Sequence, residues 1–475
     1  MWKTLGKTIV ALAIVFSLLI GAGGYGIWYS LFREVPAEYQ QPEEEFKYGS
    51  IQIANTEPIP YWVWLVLPRL FPEYLPNSGG YTALGLTWEE GRETPVGVSK
   101  AVAGVPRQGM TCAVCHHATV RETSEAKPAV FLGAPANKFD PQRYRQFLFD
   151  CANDARFTAD YILEEIETYN HRFSWLEGQL YRRWIIPQIR KALLQQQAAS
   201  AWMAARPAWG PGRSDAFNSL KFERLGQPLE DTIGSADMMP LWHGQNQQRL
   251  ANYWDGLSPS SSSAHLGAMS HSAVPSSTDS KAFDRVAKFI TALAPPAYPY
   301  EINQQRVEQG KQIFASTCAA CHAPGGEKTG SVIPIEAVGT DRHRLDMWAQ
   351  AAANAYNALP EVSKGELAAL RKTNGYLAKT LDGLWLRAPY LHNGSVPTVR
   401  DLLTVPEERP QVFYRGYDVY DRKNLGYVAD VAEEKGKRYF KYDTRIPANG
   451  NQGHRYGTEL PDAQKTALVE YLKTL

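Results

Sequence analysis

A five-residue motif, Cys-x-x-Cys-His, occurs twice in this chain and constrains its fold more than any other feature. The first copy contains Cys112, Cys115 and His116, and the second contains Cys318, Cys321 and His322. This spacing is the attachment signal for haem c, since two thiols on one turn can both bond to the haem vinyl groups. The adjacent histidine then lies beneath the iron as its proximal ligand. The repeat therefore predicts two covalently bound haem c groups.

Two other uses of paired cysteines do not fit this pattern. A structural zinc site would need a further Cys or His pair nearby at ligand spacing, and His117 directly follows His116. A thioredoxin-type redox pair would not need the histidine. The fifth cysteine, Cys151, has no motif around it and is interpreted as a buried free thiol.

The N-terminus carries an apolar run of about 24 residues, Ile9–Phe32, which is long enough to span a bilayer as a helix. Lys3 and Lys7 precede it and favour a cytoplasmic N-terminus. A cleaved signal peptide is the alternative, but no clear cleavage site follows the run. We therefore expect a single-pass inner-membrane protein whose haem domains lie in the periplasm.

Composition and periodicity predict four parts. These are residues 1–32 as cytoplasmic tip and transmembrane helix, 33–90 as stalk and N-terminal extension, 91–296 as the first haem domain, and 297–475 as the second. Within the extension, Tyr61–Pro68 is apolar and aromatic but too short to span a membrane, so it either lies at the membrane surface or packs in a core. The net charge of +1 argues against a nucleic-acid partner.

The predicted fold is mainly α, with two tandem class I cytochrome c-like domains and long loops. Helical periodicity extends over 160–175, 178–199 and 281–292, and no alternating strand pattern of any length is present. The second domain is expected to begin with a helix before Cys318 and to end with a helix after Pro461. Gly310 and Phe314 lie where a crossing of these two helices needs a small and an aromatic residue.

Several segments resemble the bacterial di-haem cytochrome c peroxidase superfamily, and in particular its latex (rubber) oxygenase and fatty-acid dioxygenase-like branch. These segments are Gly91–Val98, Gly210–Asn218, Tyr253–Gly256, Leu386–Leu402 and Asn451–Thr458. The resemblance implies that the N-terminal haem reacts with peroxide or dioxygen while the C-terminal haem relays electrons. A small redox protein or a quinol-linked donor would supply those electrons.

The resemblance also implies roles for individual residues. Trp254 matches a tryptophan that lies between the haems. Met269 falls near the position of a bulky shielding residue on the distal face. Two roles are open to it, shielding the iron or ligating it through sulfur, and His265 and His271 are further candidates for ligation.

Charged side chains supply two further candidates. Arg213, in a Gly-Pro-Gly-Arg loop, is a candidate partner for a haem propionate. Peroxide cleavage needs a distal carboxylate, for which Glu230 is a candidate beside Glu223 and Asp231.

The second haem needs a sixth ligand if it relays electrons. Met347 is the last methionine and lies shortly after His322, so a downstream methionine ligand is nearly ruled out. His392 and His454 remain, and in the oxygenase branch a Gly-His-x-Tyr/Phe-Gly segment resembling that around His454 supplies the distal ligand. We therefore expect ligation by His322 and His454, with His392 as the alternative.

Two functions of different class remain open at this point. One is a peroxidase-like or oxygenase-like oxidoreductase. The other is a non-enzymatic membrane-tethered electron carrier in which both irons are six-coordinate.

Overall fold

The structure is a computed structural model of the 475-residue chain. It describes residues 41–49, 59–103, 105–169, 171–242, 253–258, 280–364 and 367–475, with a few isolated residues before 41. Everything stated below refers to these residues.

The fold mixes helices and strands and is 42% helical, so the expectation of a mainly α fold is wrong. The helices of seven or more residues are Pro42–Tyr48, Tyr61–Leu70, Pro141–Asn153, Ala159–Thr168, Ile186–Ala199, Ser280–Ala292, Gln304–Thr317, Gln350–Asn357 and Asp462–Leu472. Shorter α-helical turns are Trp175–Leu180, Ala216–Ser219, Ala319–His322, Ile335–Val338, His343–Met347, Pro360–Ser363 and Val399–Leu402. Two π-helical turns, Tyr181–Ile185 and Leu220–Arg224, each continue an α-helix.

The described strands form one three-stranded antiparallel sheet, made of Glu34–Val35, Val98–Ala103 and Val105–Met110, and six antiparallel pairs. They are Glu34–Val35, Val98–Ala103, Val105–Met110, His117–Val120, Ala129–Leu132, Arg213–Ser214, Ala236–Asp237, Val332–Pro334, Gly375–Leu377, Val412–Arg415, Tyr420–Asp421, Gly426–Tyr427, Glu433–Glu434, Lys437–Arg438 and Phe440–Asp443. The longest pair joins Val98–Ala103 to Val105–Met110, with Val98 opposite Met110. Strands of two to six residues contain too few alternations to show a period of two, which explains why the sequence did not reveal them.

The expected membrane-spanning helix over residues 9–32 is corrected here, together with the single-pass inner-membrane location. Among the described residues, no helix is long and apolar enough to cross a bilayer. The longest described helices have 14 residues, whereas a span needs roughly 20. Apart from Gly21, Gly24 and Tyr25, residues 1–32 lie outside the described part of the chain.

The apolar segment after residue 60 packs in a core. It forms the helix Tyr61–Leu70, in which Trp64 and Leu67 are fully buried, and it packs against the helix Ala159–Thr168. The Trp64 indole N–H donates to the Tyr144 hydroxyl at 3.0 Å. Of the two interpretations of this segment, burial in a core therefore applies.

The first and last helices of the C-terminal part cross each other as expected. Gln304–Thr317 packs against Asp462–Leu472, and the rings of Phe314 and Tyr471 are 5.1 Å apart. At Gly310 a Cβ atom would meet the carbonyl oxygen of Ala467 well inside van der Waals contact. The glycine is therefore required by the close approach of the two helix backbones.

Replacing Gly310 with alanine is expected to destabilise the protein by about 1–3 kcal/mol, because the two helices must separate to admit the methyl group. Gly178 is the matched control, since it also lies in a helix but has open space where its Cβ would be. Gly178→Ala should leave stability unchanged or raise it by up to ~1 kcal/mol. Urea unfolding of both variants measures this difference, and equal midpoints would contradict the packing described.

Side chains before and after residue 297 share one hydrophobic cluster, in which Ala118, Val120 and Trp242 pack with Trp385 and Tyr420. Polar contacts join the same two parts of the chain. The Trp242 indole N–H donates to the carbonyl of Asp382 at 2.8 Å. The two motif-bearing parts are thus packed together through an extensive buried surface.

Candidate haem c sites

The first Cys-x-x-Cys-His motif lies on a single tight turn. The chain enters a 3-10 turn over Cys112–Val114, and the hydroxyl of Thr111 caps it by accepting the N–H of Ala113 at 3.1 Å. The His116 N–H then donates to the carbonyl of Cys112 at 3.1 Å. This turn holds both thiols and the histidine in one local frame, as covalent haem attachment requires.

The second motif directly follows a helix. The helix Gln304–Thr317 ends at Cys318, and a further helical turn, Ala319–His322, carries the remaining motif residues. The His322 N–H donates to the carbonyl of Cys318 at 3.0 Å. The same hydrogen bond thus closes the turn in both motifs.

Each motif histidine donates a hydrogen bond to a backbone carbonyl. His116 Nδ1 lies 2.9 Å from the carbonyl oxygen of Met239, and His322 Nδ1 lies 2.6 Å from that of Lys379. A carbonyl oxygen only accepts, so Nδ1 carries the proton in both rings. Nε2 is then the nitrogen whose lone pair would bind a metal, and the hydrogen bond fixes the orientation of each ring.

His454 faces His322, with the two ring centroids 6.2 Å apart. Two imidazoles that each place a nitrogen ~2 Å from a shared metal ion would have centroids roughly 6 Å apart. Nδ1 of His454 is buried and has no hydrogen-bond partner among the described residues. Burial lowers the pKa of His454 to about 4, and its proximity to His322 adds to this, so the imidazole is neutral as a metal ligand must be. These observations fit a haem iron between the two rings.

The loop that carries His454 is fixed from both sides. Its backbone N–H donates to the carbonyl of Val338 at 2.8 Å. The guanidinium of Arg409 donates to the carbonyls of Asn451 and Gly453, at 2.6 and 2.9 Å. His454 has a positive φ of 47°, which is uncommon for a residue other than glycine. The loop thus holds a strained residue in place, as functional positions often require.

His392, the alternative ligand, is already engaged. Its Nε2 lies 2.9 Å from the Tyr376 hydroxyl, which donates its own proton to the carbonyl of Asp341 at 2.7 Å. His392 Nε2–H must therefore be the donor to the tyrosine oxygen. The two rings also stack, with centroids 4.1 Å apart. In this arrangement Nε2 of His392 is not available to a metal.

Two buried guanidinium groups have unsatisfied donors. Arg213 is fully buried, and its Nε has no hydrogen-bond partner among the described residues, the nearest carboxylate oxygen being that of Asp237 at 3.9 Å. Arg387 Nε is likewise buried without a partner, and burial lowers the pKa of this guanidinium to about 10. The other nitrogens of both groups donate to neighbouring oxygens, so each has one buried N–H left that fits a carboxylate group of a haem.

The carbonyl acceptors of the two motif histidines are connected. Met239 accepts a hydrogen bond from His116 and Lys379 accepts one from His322, each through its backbone carbonyl. The side chains of these two residues also contact each other, since Lys379 Nζ donates to Met239 Sδ at 3.6 Å. Trp254 spans the same two segments. Its indole N–H donates to the carbonyl of Asp237 at 2.8 Å, and its own carbonyl accepts the N–H of Leu377 at 2.8 Å.

The remaining sequence candidates lie as follows. Glu230 pairs with Lys221 and is half exposed, without a described contact to His116. His117 is buried and makes local hydrogen bonds to Ala113 and Thr87. Met269 lies outside the described residues, with His265 and His271. Cys151 is a buried free thiol within a hydrophobic cluster, as expected.

Sequence reasoning missed Met239, Lys379, Arg387 and Arg409. Met239 and Lys379 accept hydrogen bonds from the motif histidines through their backbone carbonyls, and Arg409 donates to backbone carbonyls of the His454 loop. Because every residue type has a backbone carbonyl, the sequence carries no signal for such contacts. Arg387 lies in the segment Leu386–Leu402, which carries part of the family resemblance. Its position two residues before Pro389 was the available signal.

Known proteins are similar to parts of this chain. Residues 307–385 match the cytochrome c family, and residues 375–414 match a family described as RoxA-like, cytochrome c-like. The uncharacterized protein y4iM of Sinorhizobium fredii is 29% identical over 314 residues, which cover 57% of this chain and 71% of that protein. A second protein of that organism, y4iJ, is 31% identical over 253 residues, 39% of this chain and 42% of that protein. The family matches cover residues 307–414 and imply a cytochrome c domain with covalently bound haem c in that part of the chain.

Proposed function

We propose that this chain is a di-haem c-type oxidoreductase. One haem c is held by Cys112, Cys115 and His116 within residues 91–296, and the other by Cys318, Cys321 and His322 within 297–475. The first site reduces peroxide or activates dioxygen, and the second relays electrons to it. The observation that carries the proposal is the arrangement of His322 and His454, with rings 6.2 Å apart.

Two facing histidines suit electron transfer. Haem c supplies one-electron redox chemistry when bound, and its axial ligands set both its potential and its access to small molecules. A haem iron held between His322 and His454 would have no position left for a substrate. The second site therefore serves as a relay.

Contacts between the segments that bond to the two motif histidines support a relay between the two sites. Met239 and Lys379 connect the hydrogen-bond partners of His116 and His322 through a 3.6 Å contact. Trp254 bonds to both of the segments that carry them, at 2.8 Å in each case. In the proposal these residues hold the two proximal histidines in a fixed mutual arrangement.

The reactive role of the first site rests on the resemblance to di-haem peroxidases and oxygenases. In this proposal Met269 shields the distal face and leaves the iron position open, and Glu230 is the candidate acid–base group. Arg213 pairs with a haem propionate, for which its unpaired buried Nε is suited. A small redox protein or a quinol-linked donor supplies electrons.

Carbon monoxide binding to the reduced full-length protein tests the division of roles. The proposal predicts one binding site per chain, because carbon monoxide needs an open iron position and His454 closes the second site. Hydrogen peroxide turnover with a reduced donor would then identify peroxidase chemistry. Oxygen uptake with unsaturated lipids or isoprenoids would identify oxygenase chemistry.

Each of the other two outcomes would contradict part of the proposal. Two carbon monoxide molecules per chain would contradict the closed second site. No binding at all would contradict an open reactive haem and favour an electron carrier in which both irons are six-coordinate.

A further inference from the structure

We infer that a basic cavity lined by none of the motif residues binds a small oxyanion, with a phosphate or carboxylate group as the recognised chemistry. The cavity has a volume of about 370 Å³. Six cationic side chains line it, namely Lys138, Arg143, Arg415, Lys437, Arg438 and Lys441, against a single carboxylate, Asp140. Neither the motif residues nor His454 line the cavity, and the inference does not rest on the proposed function.

The one carboxylate in the wall, Asp140, caps a helix and also attracts the neighbouring cations Arg143 and Arg415. Asp140 precedes the helix Pro141–Asn153 and caps it, since its Oδ1 accepts the backbone N–H of Arg143 at 3.0 Å. Burial raises the pKa of Asp140 above its ordinary value, while Arg143 and Arg415 act in the opposite direction.

Two of the six cations have partners elsewhere. Lys138 pairs with Asp418 at 3.3 Å, and Arg415 pairs with Asp237 at 2.9 Å. The other four make no ion pair within 4 Å with any carboxylate of the described residues; these are Arg143, Lys437, Arg438 and Lys441. The lining thus combines six cations with one carboxylate, and four of the six cations have no carboxylate oxygen of the described residues within 4 Å.

The pKa of Lys437 reflects its position in the cavity wall. It is half-buried on the strand Lys437–Arg438, and its ammonium lies 5.7 Å from the centre of the Tyr439 ring. Burial lowers the pKa of Lys437 to about 8, and the neighbouring Lys138 adds to this effect. A bound anion would reverse that effect, because an opposite charge within a few ångströms favours the charged form of an amine.

Size and lining define the class of ligand. Small-molecule sites occupy roughly 300–1,000 Å³ and combine apolar walls with a few polar groups. Here Leu84, Pro211 and Phe440 supply apolar surface beside the cations. A compact anion with several oxygen acceptors, rather than a large polymer, fits this space.

Binding is tested on the haem-loaded full chain by calorimetric titration with inorganic phosphate and, separately, with succinate, near neutral pH and at low ionic strength. We expect the protein to bind at least one of them, and the stronger one identifies the preferred group. Lys437→Gln should weaken binding about tenfold or more, because it removes a charge-assisted hydrogen bond. Lys437→Arg should retain binding and shows that the hairpin tolerates substitution.

Lys435 provides the matched control. It lies two residues away in the same hairpin, but it pairs with Glu125 at 2.8 Å and does not line the cavity. Lys435→Gln should leave the affinity unchanged. Failure of the unmodified protein to bind either anion at millimolar concentrations would overturn the inference. Equal weakening by Lys435→Gln and Lys437→Gln would also overturn it, since it would reflect general surface charge.

Discussion

Replacing His454 with alanine is expected to convert the haem held by His322 from low-spin to high-spin. The two rings face each other at 6.2 Å, so removal of one leaves the iron position between them open on that side. The change should appear in the optical and electron paramagnetic resonance spectra of the oxidised protein. Carbon monoxide binding to the reduced protein should rise from one molecule per chain to two.

His392→Ala is the matched control, because His392 is the other downstream histidine and its Nε2–H is committed to Tyr376. This variant should stay low-spin and should lose stability instead, since it removes a buried hydrogen bond and a stacked ring. An unchanged low-spin spectrum and an unchanged potential in His454→Ala would exclude His454 as the ligand.

Asp418→Asn is expected to destabilise the protein by about 2–4 kcal/mol, because it removes one partner of a buried ion pair. The Asp418 carboxylate is 4% exposed and lies 2.5 Å from Arg121 Nε and 3.3 Å from Lys138 Nζ. It also accepts the Thr119 hydroxyl at 2.6 Å. These contacts join the segment after the first motif to the C-terminal part, so urea unfolding of the whole chain measures their loss.

The same residue predicts how stability depends on pH. Burial alone would raise the pKa of Asp418, but Lys138, Thr119 and Arg121 together hold it below its ordinary value. Its contribution is therefore complete above the pKa of an unfolded aspartate, about 3.9, and is lost as the pH falls through the lower folded value. The difference between the unmodified protein and Asp418→Asn should be large near neutral pH and should shrink under strongly acidic conditions.

Glu125→Gln serves as the control for that comparison. Glu125 pairs with Lys435 on the surface, where both side chains are well exposed. Solvent screening makes such a pair weak, so its loss should leave the unfolding midpoint unchanged. If Asp418→Asn unfolds like Glu125→Gln, the buried ion pair does not hold the two parts together.

Local chemistry made some features predictable from sequence. Gly310 and Phe314 pointed to a helix crossing because close helix contact needs a small and a large residue, and both residues lie in that contact. His454 was identified from its glycine-rich loop and the lack of a later methionine, and the structure brings it opposite His322.

Other features depend on contacts between segments distant in sequence. The short strands escaped detection because each gains its hydrogen bonds from a partner and carries too few residues for a period. The acceptors of His116 and His322 are backbone carbonyls, for which any residue type serves. The basic cavity draws its cations from segments that start at residues 138, 415 and 437, and no local pattern unites them.

The proposed di-haem assignment is tested most directly by counting the haem that stays attached to the denatured chain. The full-length protein, produced in a host that matures haem c, should retain two haems per chain after acid-acetone extraction. Cys112→Ala combined with Cys115→Ala should retain one, and Cys318→Ala combined with Cys321→Ala should also retain one. A single retained haem in the unmodified protein, or haem that extracts fully, would contradict the assignment.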